Sequence, residues 1–489
     1  MAESNISRAY TGRTVLTTSE QKITADNLLT VLTRLLPVFS QNKADSDYLY
    51  WYYRGRQPIL SREKKFRPEI CNKIVENHAN EIVSFKKGYT FGEPVQYVRR
   101  AVKDKGELNP DGDNGKAINL LNEIMACEDK ASKDEELAEW FFICGTAYRM
   151  IMPKSEEDGN ISPIEIETLD PRVTAVVYNT GFGRKPVMSI QEVTIGTPAL
   201  TGEVDFQTRY CVYTPDEYFE VENGVIVKQE PHALGTIPII EYPANQSRIG
   251  AFELVLQLLD AINNADSNRL DGIEQFVQSF MKFVNTKIDK ETFDEFRERG
   301  AIIINSEPGN PADVGIITSE LNQTQTQIVV DHLYQMVLII CGMPDRNGTN
   351  RTTGDTGQAV MLRDGWSAAE SKAKETELIF KKSEKQFLKY VLRLLEDKVK
   401  MSISDIDIKF TRNKTDNLLT KTQGLQNMLE AGVSPVLAFT NCNLFSDPEQ
   451  ACKDSAKYLE KWLPTKKSES EEPDEPTVTP ANNKPNPNE

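Results

Sequence analysis

From residue 250 onward, apolar residues recur at mixed three- and four-residue steps, the spacing that puts side chains on one face of a helix. Leu254, Val255, Leu258, Leu259, Ile262, Leu270, Ile273 and Val277 mark one such helix, whose other faces are polar and acidic. Leu321, Ile328, Val329, Leu333, Met336, Val337 and Ile340 mark a second, which Gly342 and Pro344 bring to an end. Between them the pattern predicts a strand from Met281 to Ile288, a charged helix from Glu291 to Arg299, a strand from Ala301 to Asn305 and a turn-rich Glu307 to Pro311. After the second helix, Asp345 to Gly357 contains no large apolar side chain, so it cannot bury itself and is expected to be a loop. Gln358 to Lys398 then predicts a helix of about 40 residues, roughly 60 Å if unbroken, with Gly365 as the expected kink. A polar loop held between two helices, one very long, reads as a presented device with the rest of the chain as its mount.

The upstream pattern changes period. Residues 1–23 are polar. Ala25 to Phe39 predicts a short helix, and residues 70–90 another, on Ile70, Ile74, Val75, Ala79, Ile82 and Val83. Residues 104–115 form a Gly/Asp/Asn-rich loop without the terminal Glu of a calcium loop. Helices follow at Ala117 to Ala126 and Lys133 to Phe142. Residues 147–242 then alternate with period two: Ile164 to Leu169, Val173 to Tyr178, Val187 to Ile195, Phe206 to Tyr213, and two strands flanking the hairpin signal Asn223-Gly224. Beyond the long helix come a strand at Ile406, Ile408 and Phe410, and helices at Leu418 to Leu429, Val433 to Phe439 and Pro448 to Trp462. The tail from Pro464 lacks the apolar residues of a core and is expected to be disordered.

Composition narrows the function. Of 489 residues, 27% are charged and 39% apolar, and 73 acids against 57 bases leave a net charge of −16, which speaks against tight phosphate gripping. Seven scattered cysteines with no C-x-x-C, and three histidines, support neither a disulfide framework nor a zinc site. The amino-terminal residues lack the apolar core of a signal peptide, and no apolar run approaches a bilayer's width. There is no G-x-x-x-x-G-K-[ST] phosphate loop. Gly354-Asp-Thr-Gly357 resembles the turn of an aspartic protease, but it leads into a helix and has no second copy. His332 is expected to be buried or at an interface. Glu253 and Asp260 are expected on a solvated or channel-facing stripe, not as an acid/base pair. The aromatics Tyr48 and Tyr50 to Tyr53 suit a core or subunit contact better than base stacking, since only Arg54 and Arg56 supply charge nearby.

Several local sequences resemble one family. Tyr52-Tyr-Arg-Gly-x-Gln-Pro-Ile-Leu60, Asn72-Lys-Ile-Val-Glu-Asn77 and Gly88-Tyr-Thr-Phe-Gly-Glu-Pro-Val95 look like the opening of tailed-phage portal proteins of the SPP1-like group. Gly145-Thr-Ala-Tyr148, Leu169-Asp-Pro-Arg-Val173, Gly235-Thr-Ile-Pro-Ile-Ile-Glu-Tyr-Pro243, Gly342-Met-Pro-Asp345 and Gly357-Gln-Ala-Val-Met-Leu-Arg363 continue it in the same order. The resemblance spans roughly residues 45–460.

That resemblance implies an α+β portal fold with long helices (stem and kinked long wing helix), a β-rich wing segment, a small α/β clip and a helical crown. Its divisions would be a flexible N-terminus at 1–24, wing at 25–249, first stem helix at 250–280, clip at 281–318 and second stem helix at 319–342. A tunnel loop at 343–357, a long wing helix and return strand at 358–415, a crown at 416–463 and a disordered tail at 464–489 complete it. It implies a ring of about twelve copies at one capsid vertex, each with two complementary faces, to which the aromatics near Tyr50 and the long helix contribute. Double-stranded DNA would pass through, contacted weakly and without sequence preference. Arg346, Asn347, Thr349, Asn350, Arg351 and Thr352 would face the channel. Lys290, Glu291, Asp294, Arg297 and Glu298 would form the clip surface where the large terminase subunit docks. Scaffolding, major capsid and head-completion proteins are the other implied partners. The implied location is the virion, with host cytoplasm during assembly. No catalytic role, metal or cofactor is implied. Between Gly250 and Asp345 fifteen Asp/Glu face six Lys/Arg, which suggests an acidic bore that lets DNA slide. Two other readings compete: a cytoplasmic helical adaptor or scaffold without a channel, and an enzyme whose hydrolytic site leaves no motif.

Overall fold

Leu28, Leu32, Leu35 and Phe39 share a buried face with Leu49 and Tyr52, so the first helix, α1 (Ala25–Tyr53), continues past its predicted end at Phe39. Ser40 to Ser46 is a polar run in which Ser46 takes a buried position, which is why the periodicity breaks in sequence while the helix does not. Asn27 Oδ1 accepts the Thr24 N–H at 2.9 Å and satisfies one of the free donors at the helix start. The computed structural model describes residues 12–65, 67–100, 113–154, 162–198, 204–277, 280–284, 313–317, 323–345, 365–396, 398–412, 418–442, 444–445 and 448–459. Helices α2 (His78–Phe91), α3 (Asp113–Cys127) and α4 (Lys130–Cys144) follow.

The β region carries the strands β1 (Leu16–Thr18), β2 (Gln96–Arg99), β3 (Thr146–Pro153), β4 (Ile164–Leu169), β5 (Thr174–Asn179), β6 (Pro186–Pro198), β7 (Val204–Tyr213), β8 (Glu217–Glu222), β9 (Val225–Pro231) and β10 (Ile239–Pro243). One sheet has the order β1-β5-β6-β7-β8-β9 and another β10-β3-β4. The β1–β5 pair is parallel; the predicted meander from β5 to β9 is antiparallel throughout. Asn223 and Gly224 both take positive φ, 48° and 78°, as a tight primed hairpin requires. Leu28, Leu32, Leu35 and Phe39 of α1 cover this sheet's face at Val177, Met188, Val212 and Phe219. A second core joins α2, α3 and α4 to β3 and β10. Gly145, at φ 80°, ends α4 where another chain segment crosses: an added Cβ would lie 2.0 Å from the Arg248 carbonyl oxygen.

Helix α5 (Leu256–Val277) follows a short 3-10 turn at Glu253–Val255. The strands β11 (Phe280–Val284) and β12 (Asp313–Ile317) then pair antiparallel, and β12 was not legible in the sequence pattern. Helix α6 (Gln323–Cys341) packs against α5. Helix α7 (Trp366–Leu394) follows Gly365, which holds φ 83°; the expected helical residues before it, 358–364, lie outside the described residues. Strand β13 (Ile406–Lys409) closes the unit by pairing with β2. The helical prediction for residues 70–77 fails for a definite reason. Backbone N–H groups of Asn72, Ile74 and Glu76 donate to Asp271 Oδ1, Ser267 Oγ and Asn263 Oδ1 on α5, at 2.7, 2.9 and 2.8 Å. Acceptors one turn apart, about 6 Å, match the roughly 6.6 Å repeat of alternate residues in an extended chain. Residues 70–77 therefore run along α5 as though it were a neighbouring strand.

Residues 414–489 form a separate compact unit. In it α8 (Leu418–Glu430), α9 (Pro435–Cys442) and α10 (Pro448–Leu459) pack around Phe439 and Cys452, with Leu425 and Leu429 against them.

Candidate functional site

The α6 helix ends in a tight, fully bonded turn. Met343 N–H donates to the Leu338 carbonyl at 2.8 Å and Gly342 N–H to that of Ile339 at 3.2 Å, with Gly342 at φ 66°. This is the paired geometry of a Schellman cap. Lys86 Nζ, from α2, donates to the Cys341 carbonyl at 2.8 Å, and burial lowers the Lys86 pKa. A cation on the last carbonyls of a helix is favourable both as a hydrogen bond and against the helix dipole. Tyr334 fixes the same helix about two turns earlier, donating to Glu81 Oε1 at 2.9 Å with its ring 4.6 Å from that of His78.

The start of α7 is fixed on the same support. Trp366 packs against Phe85 and Tyr89 of α2, with ring centres 6.1 and 5.9 Å away, and the Tyr89 hydroxyl donates to Glu370 at 2.8 Å. A Cβ placed on Gly365 would lie 3.6 Å from the Met343 carbonyl oxygen and 3.7 Å from Pro344 Cα. Residues 343–344 and 365 therefore touch. The chain between them departs from and returns to one point, and both feet stand on α2. Arg346, Asn347, Thr349, Asn350, Arg351 and Thr352 all fall between those feet and lie outside the described residues, as do Lys290, Glu291, Asp294, Arg297 and Glu298.

Of the carboxylates expected on a solvated or channel-facing stripe, Glu253 is instead internal and Asp260 is half-buried. Glu253 is fully buried; it pairs with Arg13 at 2.5 Å and accepts the N–H groups of Gly12 and Gly250. Asp260 accepts the Tyr52 hydroxyl at 2.9 Å. Asp266 pairs with Arg269 at 3.1 Å. Asp271 is 3% exposed and pairs with Arg62 at 3.0 Å and Lys64 at 2.5 Å. Burial pushes the Asp271 carboxyl up, but Lys64 and the Asn72 amides outweigh it and hold it below its ordinary value. The sequence count of acids missed this because the cations, Arg13, Arg62 and Lys64, are some 200 residues or more upstream.

The apolar residues of α6 depart from expectation the other way. Ile328, Val329, Ile339 and Ile340 are 61, 54, 68 and 46% exposed. Ile328 and Ile339 are eleven residues apart, three helical turns, and share a face about 17 Å long with exposed His332 between them. His332 is thus not buried within the chain. Of the aromatics near Tyr50, Tyr50 stacks on Trp140 at 5.3 Å with Arg172 4.2 Å over it, and buried Tyr52 stacks on Phe252 at 5.9 Å, while Trp51 is exposed with Arg56 4.0 Å over its ring. Rings engaged in this way are not available for base stacking.

One cluster had no sequence signal at all. Glu384 on α7 accepts from Lys130 of α4 at 2.8 Å, from Arg149 of β3 at 3.5 Å and from the hydroxyls of Tyr242, at 2.7 Å, and Tyr97. Asp134 bonds the same two cations. All four charged groups are buried, and the two signs balance. Burial pushes the Glu384 carboxyl up, but Lys130 and Arg149 outweigh it and hold it down to about 2. The cluster positions the long helix; its carboxylates are occupied by the two cations and two hydroxyls, and Arg149 Nε alone has no partner among the described residues. Among the described residues no three or more His, Cys, Asp or Glu side chains are grouped to hold a metal, and no helix is long and apolar enough to cross a membrane.

The family described as "Phage portal protein, SPP1 Gp6-like" matches residues 34–471 of this chain. No curated protein matches it. Among solved structures, the chain is similar to one titled "Neck of empty GTA particle computed with C6 symmetry". The two are 12% identical, with a TM-score of 0.41, over 79% of this chain and 90% of that one.

Proposed function

Because the chain belongs to the SPP1 Gp6-like family of phage portal proteins, we propose that it assembles into a closed ring at the capsid vertex, through which double-stranded DNA is packaged and ejected. The observation that carries this reading is the loop base: two helices end and begin at one pinned point, Gly342 to Pro344 against Gly365. A segment held by both feet is projected as a unit, and in a ring it is repeated around the bore. Arg346 and Arg351 then give brief, sequence-blind phosphate contacts, with Asn347, Thr349, Asn350 and Thr352 as neutral partners. The exposed face of α6, with Ile328, Val329, Ile339 and Ile340, supports contact with the neighbouring copy, since apolar area gains by leaving water. A ring of about twelve copies closed by rotation needs two unlike faces on every subunit.

With the α5 carboxylates engaged internally, weak adhesion to DNA rests on scarcity of cations instead of acidic repulsion. Arg269 is the only Lys or Arg within α5 and α6, and it is paired with Asp266. Each cation missing from a DNA-facing surface lowers affinity and its salt dependence. Lys290, Glu291, Asp294, Arg297 and Glu298 form the proposed clip surface for the large terminase subunit, which supplies ATP hydrolysis; the portal chain itself is not an enzyme. Scaffolding, capsid and head-completion proteins are its other proposed partners in the virion. The test is Arg346→Ala with Arg351→Ala in assembled particles, scored by packaged DNA per particle. The expected result is normal assembly with several-fold less retained DNA; unchanged packaging and retention would remove the loop from the account.

A further inference from the structure

From Lys381 to Lys400 the chain carries seven Lys/Arg and three acids, Glu384, Glu396 and Asp397, although the whole protein has a net charge of −16. At about 100° per residue Lys382, Lys385, Lys389 and Arg393 fall within about 80° of one another, a stripe about 16 Å long on α7. All four are exposed. Beside the stripe lies an apolar hollow. One part, about 300 Å³, is walled by Val176, Ile237, Ile239 and Tyr390, with Lys389 and Arg393 at its edge. A second part, about 590 Å³, has the same two cations, adds Lys400, and is lined by Leu392, Val399 and Met401. Its acid is Glu396. Glu241, at the other part, is already bonded to Arg248, Tyr178 and Thr146.

Tyr390, 4% exposed, forms part of the wall; its hydroxyl is out of reach of water and has no hydrogen-bond partner among the described residues. We propose that this basic-edged hollow is the docking site for an acidic segment of another protein. The segment sets an apolar side chain into the hollow and lays carboxylates along Lys382, Lys385, Lys389 and Arg393. Charge complementarity selects the acid partner. The apolar walls separate a protein from a nucleic acid: duplex phosphates answer the cations, but a duplex has no side chain to fill the hollow. The inference does not depend on the portal reading.

The probes are short synthetic peptides carrying several Asp/Glu and two apolar anchors at varied spacing, matched peptides with Lys in place of every acid, and a labelled DNA duplex. Full-length protein should retain the acidic peptides at least about tenfold better than the Lys-substituted ones, and lose that preference in Lys389→Glu/Arg393→Glu. Lys382→Glu/Lys385→Glu, which alters no wall of the hollow, should weaken binding less. Equal retention of acidic and basic peptides, or full binding by Lys389→Glu/Arg393→Glu, would overturn the proposal. So would a duplex that binds through the same cations while peptides fail. Peptides that bind single chains but not assembled oligomers would assign the hollow to a second copy and equally overturn it.

Discussion

Helix α5 buries Asn263, Ser267 and Asp271, while α6, packed beside it, exposes Ile328, Val329, Ile339 and Ile340. Both run against the usual sorting of side chains, and the reasons differ. Every buried polar group of that α5 stripe meets a backbone N–H or a cation from residues 62–76, so the stripe is complete within one chain. The α6 stripe is left largely uncovered by the described residues of its own chain. A polar residue inside and an apolar residue outside are therefore not symmetric signals. The first records a contact already made, the second leaves apolar area in water that a partner can still cover.

The sharpest check on satisfied internal charge is the deepest one. Glu384→Ala leaves two buried cations, Lys130 and Arg149, with only Asp134 between them and should cost about 4 kcal/mol, read as a lower midpoint in urea unfolding. Because the Glu384 pKa is depressed, its contribution is complete above the unfolded value near 4.3 and is lost as pH falls through about 2. Asp271→Ala should cost about 3 kcal/mol, since it removes the partner of Arg62, Lys64 and the Asn72 amide together. Its carboxyl is also depressed, so acid titration below about pH 4 should erode wild-type stability and leave the Ala variant less affected.

Gly342→Ala tests the loop base. At φ 66°, with an added Cβ only 2.8 Å from Lys372 Cγ, it should cost about 1–2 kcal/mol and speed proteolysis between residues 342 and 365. The smallest effect belongs to the unpartnered stripe. Ile339→Ser with Ile340→Ser should change the stability of the single chain by less than about 0.5 kcal/mol, because both side chains are already in water. Thermal unfolding of the dilute chain checks it. A larger loss would mean that the stripe is packed within the chain after all.

Much of the fold is legible in the sequence where local periodicity decides it. The meander from β5 to β9 and the hairpin at Asn223-Gly224 follow their alternation, and most helices fall within a few residues of prediction. Residues 70–77 are not legible, because Ile70, Ile74 and Val75 carry helical spacing while their neighbours' N–H groups bond to α5. The end of α1 is hidden by the polar run Ser40 to Ser46, in which Ser46 takes a buried position. The loop is visible in sequence as a polar run, but its joined feet depend on Gly365 meeting Met343 and Pro344. The charge cluster of Lys130, Asp134, Arg149 and Glu384 is invisible, since each member alone reads as a surface residue. The acids of α5 mislead for the same reason: their partners are distant in sequence, and a charge count cannot see pairing.

The central claim is that α6 exposes its apolar stripe because a neighbouring copy covers it in a ring. Negative-stain electron microscopy with mass photometry of the purified protein tests this directly, alongside the Ile339→Ser/Ile340→Ser chain. The account predicts rings with a central hole and a mass of about twelve times the 55.2 kDa chain, and single chains for the double variant. Wild-type chains that stay single at high concentration with scaffolding protein present, or a double variant that forms the same rings, would contradict it.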